Sequence, residues 1–220
     1  MDALNAFKNL DGHHLIDGRL VAGSGTPGAA IIDPATELPI GQIVDATTAE
    51  IDLAVEVSNL AQKRWRKINY HKRAEFLHEA AHKMRDSRSL VGEMLTREMG
   101  KPFKESVDEV IWSSTATDYY AEVGRHEAGR VLGPVVDGQF NFTTKDPLGV
   151  VVIILPFNYP LCLLCWQAAA ALATGNAVII KPSELTTLTT LQFVEAFAAL
   201  PSGGHGPAIG RRGAGYFPPH

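Results

Sequence analysis

The chain has 220 residues, 45% of them hydrophobic and 20% charged, with a formal net charge of −4. Those proportions exclude a disordered polymer and leave a globular protein of one large domain, or one domain with an appendage. An acidic balance without a basic tract is unsuited to neutralising phosphates, so no nucleic-acid partner is expected.

In chain order, residues 1–30 carry little periodicity, with Gly18, Gly23, Gly25, Pro27 and Gly28 marking turns. MDALNAFKNLDGHH lacks the basic start and apolar centre of a signal peptide, which makes a cytoplasmic location the expectation. Residues 30–32 and 38–44 read as two strands around the turn Asp33-Pro34-Ala35-Thr36. Thr47-Thr48-Ala49-Glu50 has the form of a capping box, and Ile51, Ala54, Val55, Ser58, Ala61 and Trp65 keep a helical period behind it, predicting a helix over 48–65. Three more helices are expected over 70–84, 89–99 and 104–124, the third of the four stopping at Gly100 with Pro102 beyond. His71, His78 and His82 belong to a solvated charged face rather than to a ligand set. Residues 131–136 and 139–145, joined by Asp137-Gly138, read as a β-hairpin that projects from the body as a possible assembly arm.

The segment 151–180 contains no charged residue. A bilayer span needs roughly 20 uninterrupted apolar residues, and Pro156, Asn158, Pro160, Gly175 and Asn176 break the run into shorter pieces, so no membrane span is expected. What remains is an apolar run at 150–155, a helix-length run at 161–173 and a second apolar run at 177–180, the βαβ unit of a buried parallel sheet. A helix patterned by Leu188, Leu191, Val194, Phe197 and Ala198 follows to Leu200. The last eighteen residues hold six glycines and three prolines, a composition expected to be disordered, without a strand or packed helix. The fold class is therefore α/β: an incomplete Rossmann-like parallel sheet with flanking helices and a projecting hairpin. Its parts are 1–128 (N-terminal hairpin and helical layer), 129–147 (β-hairpin), 148–202 (βαβα segment) and 203–220 (tail). A sheet lacking further strands would leave an apolar face and an open edge, and poor solubility is expected.

Cys162 and Cys165 sit among Leu161, Leu163, Leu164 and Trp166, a setting for buried structural thiols rather than a redox pair, and no zinc-ligand pattern accompanies them. The loop Pro156-Phe157-Asn158-Tyr159-Pro160 lies at the carboxyl end of the first strand, where ligands of open α/β sheets bind and helix N-termini offer unpaired N–H groups. Asn158 there either donates to an oxyanion or caps the helix, and local features do not separate the two. Lys181, Ser183 and Glu184 after the second strand suit the hydroxyls of a nucleotide ribose, although no G-x-G-x-x-G turn follows the first strand.

The runs Leu155-Pro156-Phe157-Asn158-Tyr159-Pro160, 170–176 and 180–186, with Asp33-Pro34-Ala35-Thr36 and Glu98-Met99-Gly100-Lys101-Pro102, resemble the aldehyde dehydrogenase superfamily over residues 15–203. The resemblance implies NAD(P)-dependent oxidation of an aldehyde to an acid through a thiohemiacetal and a thioester on a cysteine. It makes Asn158 the oxyanion-hole amide. It puts Ile154, Leu155, Pro156 and Phe157 at the nicotinamide, and Lys181, Ser183 and Glu184 at the adenosine ribose. Phe157 stands where tryptophan is commoner, and Thr187 where proline is common. Glu184 would repel a 2′-phosphate, favouring NAD, with NADP possible. Family members are commonly homo-oligomers, and no metal is implied. The family's nucleophilic cysteine lies well over a hundred residues beyond the asparagine motif, so Cys162 and Cys165 come too early. The expectation is an N-terminal portion that is inactive alone, the alternatives being a non-catalytic nucleotide-binding or assembly remnant and a dithiol redox protein.

Overall fold

The computed structural model describes residues 2–126, 129–200 and 208–209. Order starts earlier than the sequence pattern suggests. The Asp2 carboxylate accepts from the Asn5 N–H at 2.9 Å and opens α1 (Ala3–Leu10), which buries Ala3, Ala6, Phe7 and Leu10 at helical spacing. β1 (His13–Ile16) and β2 (Arg19–Ala22) then form a hairpin with Asp17 and Gly18 both at positive φ, as the Asp-Gly rule requires. These elements are only eight, four and four residues long, too short for a distinctive periodicity.

β3 (Pro27–Ile32) and β4 (Pro39–Val44) pair antiparallel around Asp33, whose carboxylate accepts from the Ala35 N–H at 2.9 Å. The Thr47 capping box closes as the sequence predicts, and α2 (Thr48–Trp65), α3 (Tyr70–Asp86), α4 (Arg88–Met99) and α5 (Phe103–His126) follow within a residue or two of their expected bounds. Gly100 ends α4 in the left-handed conformation at φ 83°, and a Cβ there would lie 2.9 Å from Pro34 Cγ. Two separate motifs of the sequence thus touch. The hairpin after α5 is shorter than expected: β5 (Val131–Leu132) and β6 (Asn141–Phe142) make only two pairs, because Pro134 has no N–H to extend the ladder.

β7 (Val150–Ile154), α6 (Pro160–Ala173) and β8 (Ala177–Lys181) form the expected parallel unit, with Val150 opposite Ala177 and Ile154 opposite Lys181. α7 (Thr187–Val194) continues as a 3₁₀ turn over Glu195–Ala199 rather than as one helix to Leu200. The sheet order is β2-β1-β9-β8-β7, in which β9 (Ala208–Ile209) is parallel to β8 and antiparallel to β1. This corrects the expectation of a tail without strand. The composition argument concerns side-chain burial, whereas two residues of backbone suffice to pair with a sheet edge; the rest of the tail lies outside the described residues. Among the described residues, no helix is long and apolar enough to cross a membrane and no cluster of His, Cys, Asp and Glu is arranged to hold a metal.

α3 and α5 are joined by a charge cluster. His78 Nδ1 lies 2.6 Å from Asp118 Oδ1 and Nε2 2.6 Å from Glu122 Oε1, while Arg85 donates to Asp118 at 2.7 Å. Burial works against the imidazolium, but the hydrogen bonds of Glu122 and Asp118 outweigh it and raise the His78 pKa above 6.5. A pKa raised on folding makes its stabilising contribution complete below the unfolded value and loses it as pH rises through the folded value. The melting temperature is therefore expected to fall as pH rises from about 6.5, and to fall less in His78→Gln. Identical pH profiles of the two proteins would refute the assignment.

Candidate functional site

The parallel register brings the two candidate segments together at the carboxyl ends of β7 and β8. Ile154 is the partner of Lys181, and the Leu155 N–H donates to the Lys181 carbonyl at 3.0 Å. The side chains divide by face. Val152 and Ile154 are 57% and 64% exposed on one face of the sheet, whereas Ile153 and Leu155 lie in the core. Leu155 therefore presents only its backbone to the cleft. Pro156, Phe157, Asn158 and Glu184 are exposed, and Lys181 is half-buried with its ammonium 3.9 Å from the Glu184 carboxylate. Ser183 is buried and works within its own loop: its hydroxyl accepts from the Leu185 N–H at 3.3 Å, and its carbonyl accepts from the Thr187 hydroxyl at 2.8 Å.

The helix N-termini at this end are not open. Neither Tyr159, the N-cap of α6, nor Thr186, the N-cap of α7, makes a side-chain capping bond. The amides they would serve are satisfied from far away. Glu109 Oε1 accepts from the Leu161 N–H at 2.9 Å and the Cys162 N–H at 3.4 Å. Glu98 accepts from the Leu188 N–H at 2.8 Å and the Thr189 N–H at 2.7 Å. This corrects the sequence reading of unpaired N–H groups awaiting a ligand, and of Asn158 as the competing cap. A buried carboxylate on a distant helix cannot be inferred from local sequence, and its capping leaves Asn158 in the loop, exposed.

Glu109 is fully buried and pairs with the buried Lys101 at 2.6 Å. The Lys101 ammonium also sits 3.7 Å from the centre of the Tyr159 ring, which stacks on Trp112 at 6.3 Å. Tyr159 itself adopts a left-handed conformation at φ 49°, which this packing holds in place. Burial pushes the Glu98 carboxyl up to about 7 against the opposing pull of its hydrogen bonds. Burial likewise raises Cys162, and takes Cys165 up to about 12. Both thiols are buried.

An open groove of about 420 Å³ beside this loop was not anticipated from sequence. Trp112, Thr115, Ala116, Tyr119, Tyr120 and Trp166 line it. Aromatic residues seven apart on α5 were its only trace in the sequence, and at that spacing they also suit a core face.

Breaking a buried pair from one side leaves a charge without a partner, at about 3–5 kcal/mol. Lys101→Met is expected to lose stability of that order in chemical denaturation. The double variant Lys101→Met/Glu109→Gln should lose less than the sum of the two single changes. Additive losses would show that the pair is not coupled.

The aldehyde dehydrogenase family model matches residues 21–205. The NADP-dependent glyceraldehyde-3-phosphate dehydrogenase of Arabidopsis thaliana is 35% identical over 206 residues, which cover 88% of this chain and 42% of that protein. Betaine aldehyde dehydrogenase from Staphylococcus aureus, solved in complex with NAD+, superposes with a TM-score of 0.86 at 27% identity over 94% of this chain and 42% of that one. The NADP-dependent glyceraldehyde-3-phosphate dehydrogenase from Bacillus halodurans C-125, complexed with NADP, gives 0.84 at 30% identity over 91% and 44%. The chain spans about two fifths of the length of these relatives. Agreement in sequence and backbone over most of its residues makes this chain a member of the aldehyde dehydrogenase family.

Proposed function

We propose that these 220 residues supply the cofactor wall and the oxyanion donor for NAD(P)-dependent oxidation of an aldehyde. The observation that carries this reading is the pairing of Ile154 with Lys181, which opens the Asn158 loop and the Lys181–Glu184 loop at one end of the sheet. The residues suit a dinucleotide: an exposed apolar strip at Val152 and Ile154 offers a surface to a flat ring, and Lys181 with Glu184 offers a cation and an acceptor to ribose hydroxyls. Ile154, the Leu155 backbone, Pro156 and Phe157 face the nicotinamide. Lys181 and Glu184 hold the adenosine ribose, and Ser183 shapes their loop. Bound NAD(P)+ supplies the hydride acceptor. Asn158 donates its side-chain amide to the substrate oxygen as negative charge develops there. The groove of Trp112, Tyr119 and Trp166 receives the aldehyde's side chain. The exposed Glu184 carboxylate disfavours a 2′-phosphate, so NAD is the preferred form.

The thioester route needs a thiolate, and the raised pKa values and burial of Cys162 and Cys165 withhold one. On its own, this polypeptide should bind nucleotide without turning over aldehyde. Calorimetry is expected to show NAD+ binding more tightly than NADP+, and absorbance no aldehyde-dependent NADH formation. Turnover that is lost in Asn158→Ala but survives Cys162→Ala/Cys165→Ala would overturn this division of labour. Absence of any nucleotide binding would overturn the cofactor reading itself.

The β5–β6 hairpin supports a second element of the proposal, self-association. Val131, Val135 and Phe140 are 73%, 87% and 70% exposed, an apolar arm that a second copy would cover. Light scattering should show a multimer that Val135→Asp/Phe140→Asp dissociates; a monomeric unmodified chain would refute the arm.

A further inference from the structure

Glu98 is a buried titratable group that the proposed chemistry does not use. It lies on α4, 4% exposed, and its two oxygens take the N–H groups of Leu188 and Thr189. These are the second and third residues of α7, the amides that an N-cap side chain ordinarily satisfies. The first turn of α7 is also the downstream anchor of the Lys181–Glu184 loop. The Thr187 hydroxyl and the Thr186 N–H both donate to the Ser183 carbonyl, at 2.8 and 3.2 Å. Glu98 is therefore linked to Ser183 and the adjoining Glu184 by two sets of hydrogen bonds joined through the backbone of the first turn of α7. The loop's upstream end is fixed separately, by the Leu155 N–H donating to the Lys181 carbonyl.

We propose that Glu98 is a positioning residue for the nucleotide's adenosine half: by capping α7 from a distance, it sets where Ser183 and Glu184 stand relative to Lys181. The inference rests on the cofactor reading above. Glu98 itself touches no ligand in this scheme. Its effect reaches the ribose only through the loop, which is why it should alter affinity for the adenosine half more than overall stability predicts.

Glu98→Gln keeps the side chain's size but can no longer accept from both amides. Thr189→Pro removes one of the two donors from the other side, at a position whose N–H has no intrahelical partner to lose. Leu77→Ala removes packing from α3, a buried core site in another element, and serves as a control of comparable or greater loss in melting temperature. The probe is ADP-ribose, titrated by calorimetry into the full chain. Glu98→Gln and Thr189→Pro are each expected to bind it about tenfold more weakly, the equivalent of one charge-assisted hydrogen bond, while Leu77→Ala binds as the unmodified chain does. If the unmodified chain binds ADP-ribose and Glu98→Gln binds it equally well, the positioning role is refuted while the cofactor reading stands. If Leu77→Ala weakens binding as much as the other two, Glu98 acts through general stability and the inference also fails. If the unmodified chain binds no ADP-ribose, the cofactor reading falls and this inference falls with it.

Discussion

The fold depends on how α6 is held at its two ends. This helix contains no charged residue and brings no side-chain cap of its own, yet an α-helix leaves four N–H groups and four carbonyls without partners. Neighbouring elements supply them. At the start, Glu109 takes the Leu161 and Cys162 amides and is itself neutralised by Lys101. At the end, the Trp65 indole donates to the Leu172 carbonyl and the Arg73 guanidinium to Ala173, while the Gln62 amide holds the Gly175 carbonyl just beyond the helix. An apolar helix with borrowed caps can be buried among α2, α3, α5 and the sheet. The position of β7, β8 and the loop between β7 and α6 follows from it.

The same arrangement governs the site. In many α/β folds, an anion sits on the free amides of a helix N-terminus at the carboxyl edge of the sheet. Here Glu109 and Glu98 occupy both of those positions with carboxyl groups of the protein's own, so a phosphate would find the amides already taken. This agrees with the missing glycine-rich turn after β7, since there is no backbone cradle for it to form. What remains available at this edge is the exposed apolar strip of Val152 and Ile154, the Lys181–Glu184 pair and the Asn158 loop. A ligand that uses them must lie across the strands and their loops rather than on a helix terminus.

Much of this was readable in advance wherever one residue's partner lies a few positions away. The Thr47–Glu50 box, the Gly100 stop and the three pieces of the uncharged run all appear as expected, because capping, left-handed glycine and apolar periodicity are local properties. The β1–β2 hairpin turns on Asp17-Gly18, the same dipeptide as Asp137-Gly138, but its strands are four residues each, too short for a distinctive alternation. The β5–β6 ladder is shorter than the sequence alternation predicts, since that alternation continues beyond the point where Pro134 ends the pairing.

Local sequence picks out the candidate side chains, Asn158 between two prolines and Lys181 followed by Ser183 and Glu184, together with the strand–helix–strand unit that carries them. It also carried the motifs of the family. Only the tertiary structure decided which of these side chains face the cleft, turning Leu155 and Ser183 inward while leaving Ile154, Asn158 and Glu184 outward. It alone decided that Glu98 and Glu109 are caps for helices that begin 89 and 51 residues further along the chain. The physical reason is that a buried carboxylate is tolerated only where donors converge on it, and that convergence is a property of packed elements, not of neighbouring positions in sequence.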